Sequence, residues 1–529
     1  MERRDRHQTT SDYPNPFVHK LSMTRAQKMR GMVFGSILFP IRVFLVAICF
    51  LIMWPIARLR LAGLSEAERA RPVMTGWRRW LLHPIIWFLS RAAFFFLGFF
   101  RVRVKGRRAC RKEAPVLAVA PHSSFLDMLV LPETQLATVV SRSENQSIPV
   151  IGALLEFNQA VLVNRKNPES RKQAVMQIIQ RLTSNGYWPQ MLMFPEGTTT
   201  NGTSLIKFKP GAFLAGVPVQ PVLLHYPNKV DTVRWTHKGT SWMEALWHTC
   251  SQIYTNVTVE YLPVYIPSQE EKNDPNLYAD NVQKVMAKAL GIPATDHVME
   301  GRVPTRKLGG LSLPLEPPAR ETHSLLQKNG LRKPEVEAAL SRMIDRCQSE
   351  QRWSADVDDL VPLLGLTDRQ TAAKICGLYS KDDKVDLRQM YLSMAAVYGR
   401  LDFKSLLHRA FTLYDREGSG SLTAVAVSDL MGALLGSPQH HTEELYRELS
   451  KGGTPTEQDL FRVLTTHPTY KKLISEYFTS EGAESTLPSI PVTNRKTGNN
   501  NEGLPSNNRS AFLHETADNG VTVANKKDD

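Results

Sequence analysis

Directly after a short apolar run, VLAVA (residues 116–120), the segment PHSSFLD holds His122 and Asp127 with four residues between them, an H-x-x-x-x-D pattern. A neutral imidazole can take a proton from an alcohol, and a carboxylate on its other ring nitrogen fixes the tautomer and stabilises the imidazolium that forms. The alcohol can belong to a substrate. The same spacing also arises by accident, as His7 and Asp12 demonstrate near the start of the chain. His122 differs in its setting, at the C-terminal end of an expected buried strand, where open α/β sheets put their ligands. Two other readings stand beside this one. Ser123 and Ser124 offer a serine nucleophile, opposed by the lack of a G-x-S-x-G elbow around them. His122 could also be a hydrogen-bonded core histidine.

A second constellation, FPEGTTTNGTSLIKFKPGA (residues 194–212), follows the run MLMF. Pro195 and Gly197 mark a tight turn, Glu196 offers a carboxylate, and Thr198 leads a row of hydroxyls that continues to Asn201 beside Lys207 and Lys209. Hydroxyls, turn amides and ammonium groups together suit a phosphate. An ordinary surface turn with solvated lysines is the alternative for this stretch.

Taken in order, a buried strand, PHSSFLD, LVNR ending at Arg165, FPEGT and VPVQPV (residues 217–222) resemble the four blocks of glycerolipid acyltransferases related to 1-acylglycerol-3-phosphate acyltransferase. Within that group, NPFVHKL (15–21), VSRSENQSIPVIGALL (140–155) and KFKPGAF (207–213) resemble the lysophosphatidylcholine acyltransferases. The resemblance implies acyl transfer from acyl-CoA to the sn-2 hydroxyl of a lysophospholipid. Ethanolamine and choline acceptors are favoured, and serine and glycerol lysolipids are further candidates. It makes His122 the general base, Asp127 its orienting partner, and Arg165, Glu196 and Gly197 substrate-binding residues. No cofactor or metal is implied, since acyl-CoA is a co-substrate. The wider group usually carries Arg after EGT, where this chain has Thr199, so Lys207 or Lys209 is expected to substitute as the phosphate-binding cation.

These residues need a scaffold. Short β-rich runs at 116–120, 137–141, 191–194, 217–224 and 257–264 alternate with helical patterns. One such pattern, Arg171 to Thr183, puts Ala174, Val175, Ile178, Ile179 and Leu182 on a single face. Alternation of this kind implies a mixed, largely parallel sheet with flanking helices over residues 114–302, an α/β acyltransferase domain by the resemblance. Pro218 and Pro221 argue for an edge or a bend in the run 217–222.

In front of this unit, residues 1–30 have no apolar periodicity and are expected to be a disordered tail. A membrane-associated region, 31–113, contains two apolar segments, 31–56 and 84–100, near bilayer-crossing length. Pro40 and Arg42 interrupt the first and Ser90 and Arg91 the second. All three flanks are basic, so a simple two-span hairpin conflicts with the positive-inside rule and at least one kinked, re-entrant segment is expected.

The chain has 529 residues with 65 Lys plus Arg against 51 Asp plus Glu, a formal charge of +14, which favours anionic surfaces. About three or four structural units fit this length. Five scattered cysteines without C-x-x-C spacing indicate neither a disulfide framework nor a zinc site. Nucleic acid is not an expected partner, because the basic residues crowd around apolar segments without aromatic interleaving. Behind a linker at 303–320, residues 321–477 read as an all-α, degenerate EF-hand-like domain. Asp415 to Thr423 imitates the start of a calcium loop, but Ala426 stands where the bidentate carboxylate belongs, and a second candidate around Leu378 to Gln389 has Gln at that position. Calcium binding is therefore not expected. Residues 478–529 read as a disordered tail ending in a K-K-x-x pattern at Lys526 and Lys527, which suits COPI-type retrieval to the endoplasmic reticulum membrane with a cytosolic catalytic domain. On that orientation the sequons at Asn145, Asn201, Asn256 and Asn508 carry no glycan. A non-catalytic membrane adaptor, with the helical half as its partner-binding module, is the alternative function.

Overall fold

A computed structural model describes residues 15–69, 71–72, 76–164, 167–300, 303–349, 353–380, 384–398, 402–415 and 417–478. Arg165, Lys526, Lys527 and the Asn508 sequon lie outside the described residues. The central sheet has seven strands: β1 (Val102–Lys105), β2 (Val116–Ala120), β3 (Thr138–Arg142), β4 (Val161–Val163), β5 (Met191–Met193), β6 (Val219–His225) and β7 (Val257–Tyr261), ordered β1-β7-β6-β2-β5-β3-β4. Every neighbouring pair is parallel except β6–β7. All five residues of β2 are buried, as a strand covered on both faces requires. Periodicity missed β1 and β4, which are too short and too polar or too brief to show alternation.

Helices α1 (Arg25–Leu59), α2 (His83–Phe96), α3 (Pro149–Phe157), α4 (Pro168–Leu182), α5 (Trp242–Cys250) and α6 (Pro275–Leu290) surround this sheet. The expectation for VPVQPV needs correction, because β6 is interior, between β7 and β2. Its Pro221 carbonyl accepts from the Leu262 amide at 3.0 Å, yet Pro221 has no N–H to return. The neighbouring Gln220 side chain donates instead to the Leu262 carbonyl, 3.0 Å away, and also to the Arg107 carbonyl at 2.8 Å. An amide side chain thus replaces the missing backbone donor inside the sheet.

The N-terminal segment also departs from expectation. Residues 15–19 are not a loose tail: Phe17 is fully buried, and the His19 and Lys238 amides exchange bonds with the Lys238 and Phe17 carbonyls at 2.9 and 3.0 Å. Backbone bonds hold it, so no side-chain period announces it. Thr24 then caps α1 in a reciprocal box with Gln27.

Of the apolar segments, α1 is, among the described residues, the helix long and apolar enough to cross a bilayer, with mean hydropathy 2.5 in its best window. The 14 residues of α2 span about 21 Å, short of a hydrocarbon core of about 30 Å. The two arginines that interrupt these segments turn inward, whereas Pro40 is exposed. Arg42 is 6% exposed and donates to the carbonyls of Cys250, Gln252 and Ile253 at 2.7–2.9 Å. Arg91 donates to those of Phe99 and Phe100 at 3.1 Å. Outward, α1 exposes a stripe that includes Met29, Val33, Ile37, Ile41, Phe44 and Leu51.

The expected linker at 303–320 is largely β-structure. Val303–Leu308 and Leu311–Pro314 form an antiparallel hairpin across Gly309-Gly310, and His297–Glu300 adds a third strand. Beyond it, helices from Pro318–Lys328 to Pro468–Phe478 enclose their own apolar core. Within it Ser354–Asp356 pairs antiparallel with Lys384–Asp386, and the Leu422 amide bonds the Pro455 carbonyl at 3.0 Å.

Candidate active site

His122 follows the C-terminal end of β2, and the turn after it is built by Asp127. The Oδ2 atom of Asp127 accepts from the amides of Ser123 (2.6 Å) and Ser124 (2.9 Å) and lies 2.8 Å from His122 Nδ1. Four intervening residues are what one carboxylate needs to close such a turn and still reach the ring. Asp127 is fully buried, whereas the His122 side chain is 20% exposed. With Nδ1 donating to the carboxylate, Nε2 keeps its lone pair for a proton. The Phe194 ring stacks on the imidazole at 4.1 Å, which restricts its rotation.

Tyr226, which sequence reasoning missed, donates its hydroxyl to Asp127 Oδ1 at 2.5 Å. Burial and the nearby carboxylate hold this phenol well above its usual range, so it stays a donor. It sits just past the end of β6, the parallel neighbour of β2, so the two strand ends lie side by side. The rule that sites gather at such ends could have nominated it, had the strand order been legible.

Glu196 is not turned towards a substrate. It is fully buried, and its two oxygens accept from the backbone amides of His122 (2.6 Å) and Ile206 (3.3 Å). Burial pushes its pKa up to about 8, against the opposing pull of those two amides. It holds the backbone of His122 from behind. Gly197 turns the chain with φ +66°, where a Cβ would also stand 3.0–3.2 Å from Lys209 Cδ, Cε and Nζ.

The two lysines separate. Lys207 pairs with Asp280 at 3.1 Å and lies off the cavity, whereas Lys209 lines it with Gly197 and His122. Thr198 is half-buried at the turn and does not line it either. This cavity, about 820 Å³, runs from His122 and Phe194 to apolar side chains of α1 and α2, among them Val46, Phe50 and Phe94. Chemically it joins a positioned base and a cation to a slot sized for a chain-like apolar ligand.

Comparison with known proteins follows the same lines. The Acyltransferase family matches residues 101–225. The lysophospholipid acyltransferase LPCAT4 of Homo sapiens is 45% identical over 89% of this chain and 91% of its own length. The lysophosphatidylcholine acyltransferase 2 of Homo sapiens is 38% identical over 88% of this chain and 85% of its own. The crystal structure of the 1-acyl-sn-glycerophosphate acyltransferase PlsC from Thermotoga maritima aligns at 19% identity over 50% of this chain and 98% of that one, with a TM-score of 0.33.

Proposed function

The chain belongs to the lysophosphatidylcholine acyltransferase family and is a lysophospholipid acyltransferase, and on that premise we propose that His122 is the general base for transfer of a fatty acyl group from acyl-CoA to the sn-2 hydroxyl of a lysophospholipid. Nε2 of His122 takes the hydroxyl proton, the oxygen attacks the thioester carbonyl, and the C–S bond breaks to release CoA thiolate, which recovers the proton from the imidazolium. Asp127 and Tyr226 hold the ring, Lys209 meets the phosphate of the acceptor, and the cavity receives an acyl chain. The observation that carries this reading is the His122 ring bonded at Nδ1 to a buried carboxylate while lining an apolar cavity.

Ethanolamine and choline lysolipids are the proposed acceptors, with serine and glycerol lysolipids next. The reaction uses no cofactor or calcium. Ala426 stands where the bidentate carboxylate of a calcium loop belongs, which supports an EF-hand-like half without a working site. The exposed apolar stripe of α1 supports attachment to a membrane. Retrieval to the endoplasmic reticulum through Lys526 and Lys527, with the catalytic domain facing the cytosol, completes the proposal. In keeping with that orientation, the Asn201 sequon is buried with its amide bonded to the Asn15 and Val18 carbonyls. An adaptor role has no comparable support.

Purified wild type and His122→Ala, given a lysolipid panel with labelled oleoyl-CoA, test the mechanism. The variant is expected to lose about 100- to 10,000-fold in rate, the range of general-base contributions. Wild-type turnover in the variant would remove His122 from the chemistry.

A further inference from the structure

The carbonyls that bound the catalytic turn are each held by a loop from elsewhere in the chain. The Thr200 amide bonds the His122 carbonyl at 2.7 Å, and the Trp235 amide bonds the Ser123 carbonyl at 2.9 Å. Neither loop is a helix or a strand, so its position depends on what braces it.

One short segment braces both. Asn201, next to Thr200, donates its side-chain amide to the carbonyls of Asn15 (3.0 Å) and Val18 (2.9 Å), and its own N–H to that of Pro16 (2.7 Å). On the other side, Lys238 exchanges backbone bonds with Phe17 and His19, and His19 Nε2 lies 3.2 Å from the Asp231 carbonyl. Phe17 sits between these anchors with no exposed surface. The residues 15–19 therefore tie the 200–201 loop to the 231–238 loop across the back of the turn that carries His122.

We infer that this N-terminal strap, through Phe17 and Asn201, is a positioning element for the His122–Asp127 pair. Residues 15–19 are not among those lining the cavity, so the effect expected of them is on the placement of the base and not on substrate capture. A misplacement of about 1 Å at a reacting group can cost about 100-fold in rate. This inference rests on the general-base reading of His122.

The test compares wild type, His122→Ala, Asn201→Asp, Phe17→Ala and Phe17→Leu as full chains in detergent, with oleoyl-CoA and lysophosphatidylethanolamine. Asn201→Asp keeps the shape but turns an oxygen towards two carbonyls. Its kcat is expected to fall about 10- to 100-fold, with both KM values within about twofold of wild type. Phe17→Ala should behave alike and Phe17→Leu should recover most of the rate. That pair decides the matter if Asn201→Asp does not fold. A kcat within about twofold of wild type in Asn201→Asp or Phe17→Ala, even with a lowered unfolding temperature, would reduce the strap to a structural tie and overturn the inference. If His122→Ala matches wild type, the general-base reading fails and this one falls with it.

Discussion

Glu196 shows how a motif residue acquires a role that its motif does not spell out. The turn FPEGT presents its glycine to the cavity, while the carboxyl group folds back onto the amides of His122 and Ile206. Its pKa, raised to about 8 from an ordinary 4.5, has a thermodynamic consequence. Between those two values the folded chain retains a proton that the unfolded chain has released, so this contribution to stability is present below about pH 4.5 and is lost as pH rises through 8. Wild type is therefore expected to lose more unfolding temperature between pH 5 and pH 8 than Glu196→Gln, measured by thermal scans at fixed ionic strength. Parallel pH profiles would oppose this assignment. The variant should also lose activity, because one glutamine oxygen cannot accept from both amides, and an unmet buried amide costs about 1–3 kcal/mol. At this scale the pair His122 and Asp127 was readable because both lie in one turn, whereas Tyr226 reaches Asp127 from 99 positions away.

At the scale of elements, polar residues that look like flaws turn out to be fasteners. Arg42 stands midway along α1 and interrupts an apolar run, yet its guanidinium satisfies carbonyls at the C-terminal end of α5 and just beyond it. About two helical turns before it, Gly35 lets α1 approach the same place. A Cβ there would lie 2.4 Å from Ser251 Oγ and 2.8 Å from Trp247 Cζ2. Gly35→Val is expected to cost about 1–3 kcal/mol by overpacking, read as a lower unfolding temperature in detergent. Unchanged melting would mean that α1 does not pack on α5 in solution. The edge expectation for β6 failed for a related reason: Pro221 removes a donor, and a neighbouring Gln220 supplies another, a compensation that no propensity rule sees.

For the whole molecule, the cavity depends on α1 and α2 covering the open face of the catalytic unit. On the proposed reading, acyl-chain selection belongs to this assembly and not to the sheet alone. Ala47 of α1 lines the cavity and is exposed, so a larger side chain can be introduced there without disturbing a packed core. Ala47→Phe is expected to lower kcat/KM for oleoyl-CoA relative to octanoyl-CoA by about tenfold, equivalent to about 1.4 kcal/mol of differential transition-state binding. An unchanged ratio would move the acyl chain out of this cavity. The exposed stripe on α1 and the net charge of +14 fit a molecule that meets its lipid substrates at an anionic surface.

What the chain's order of residues determined by itself was whatever closes over short distances: the His122–Asp127 turn, the FPEGT turn, the strand–helix alternation and the apolar segments, each written in a period or a spacing. The tertiary structure alone decided which remote groups complete them. Asn201 meets Asn15 across 186 positions and Arg42 meets Cys250 across 208. Those bonds run mostly to backbone carbonyls, which every residue type carries, so they leave no signature in the pattern of side chains. A local rule reads the His122–Asp127 pair, and only the packed chain can say what holds it still.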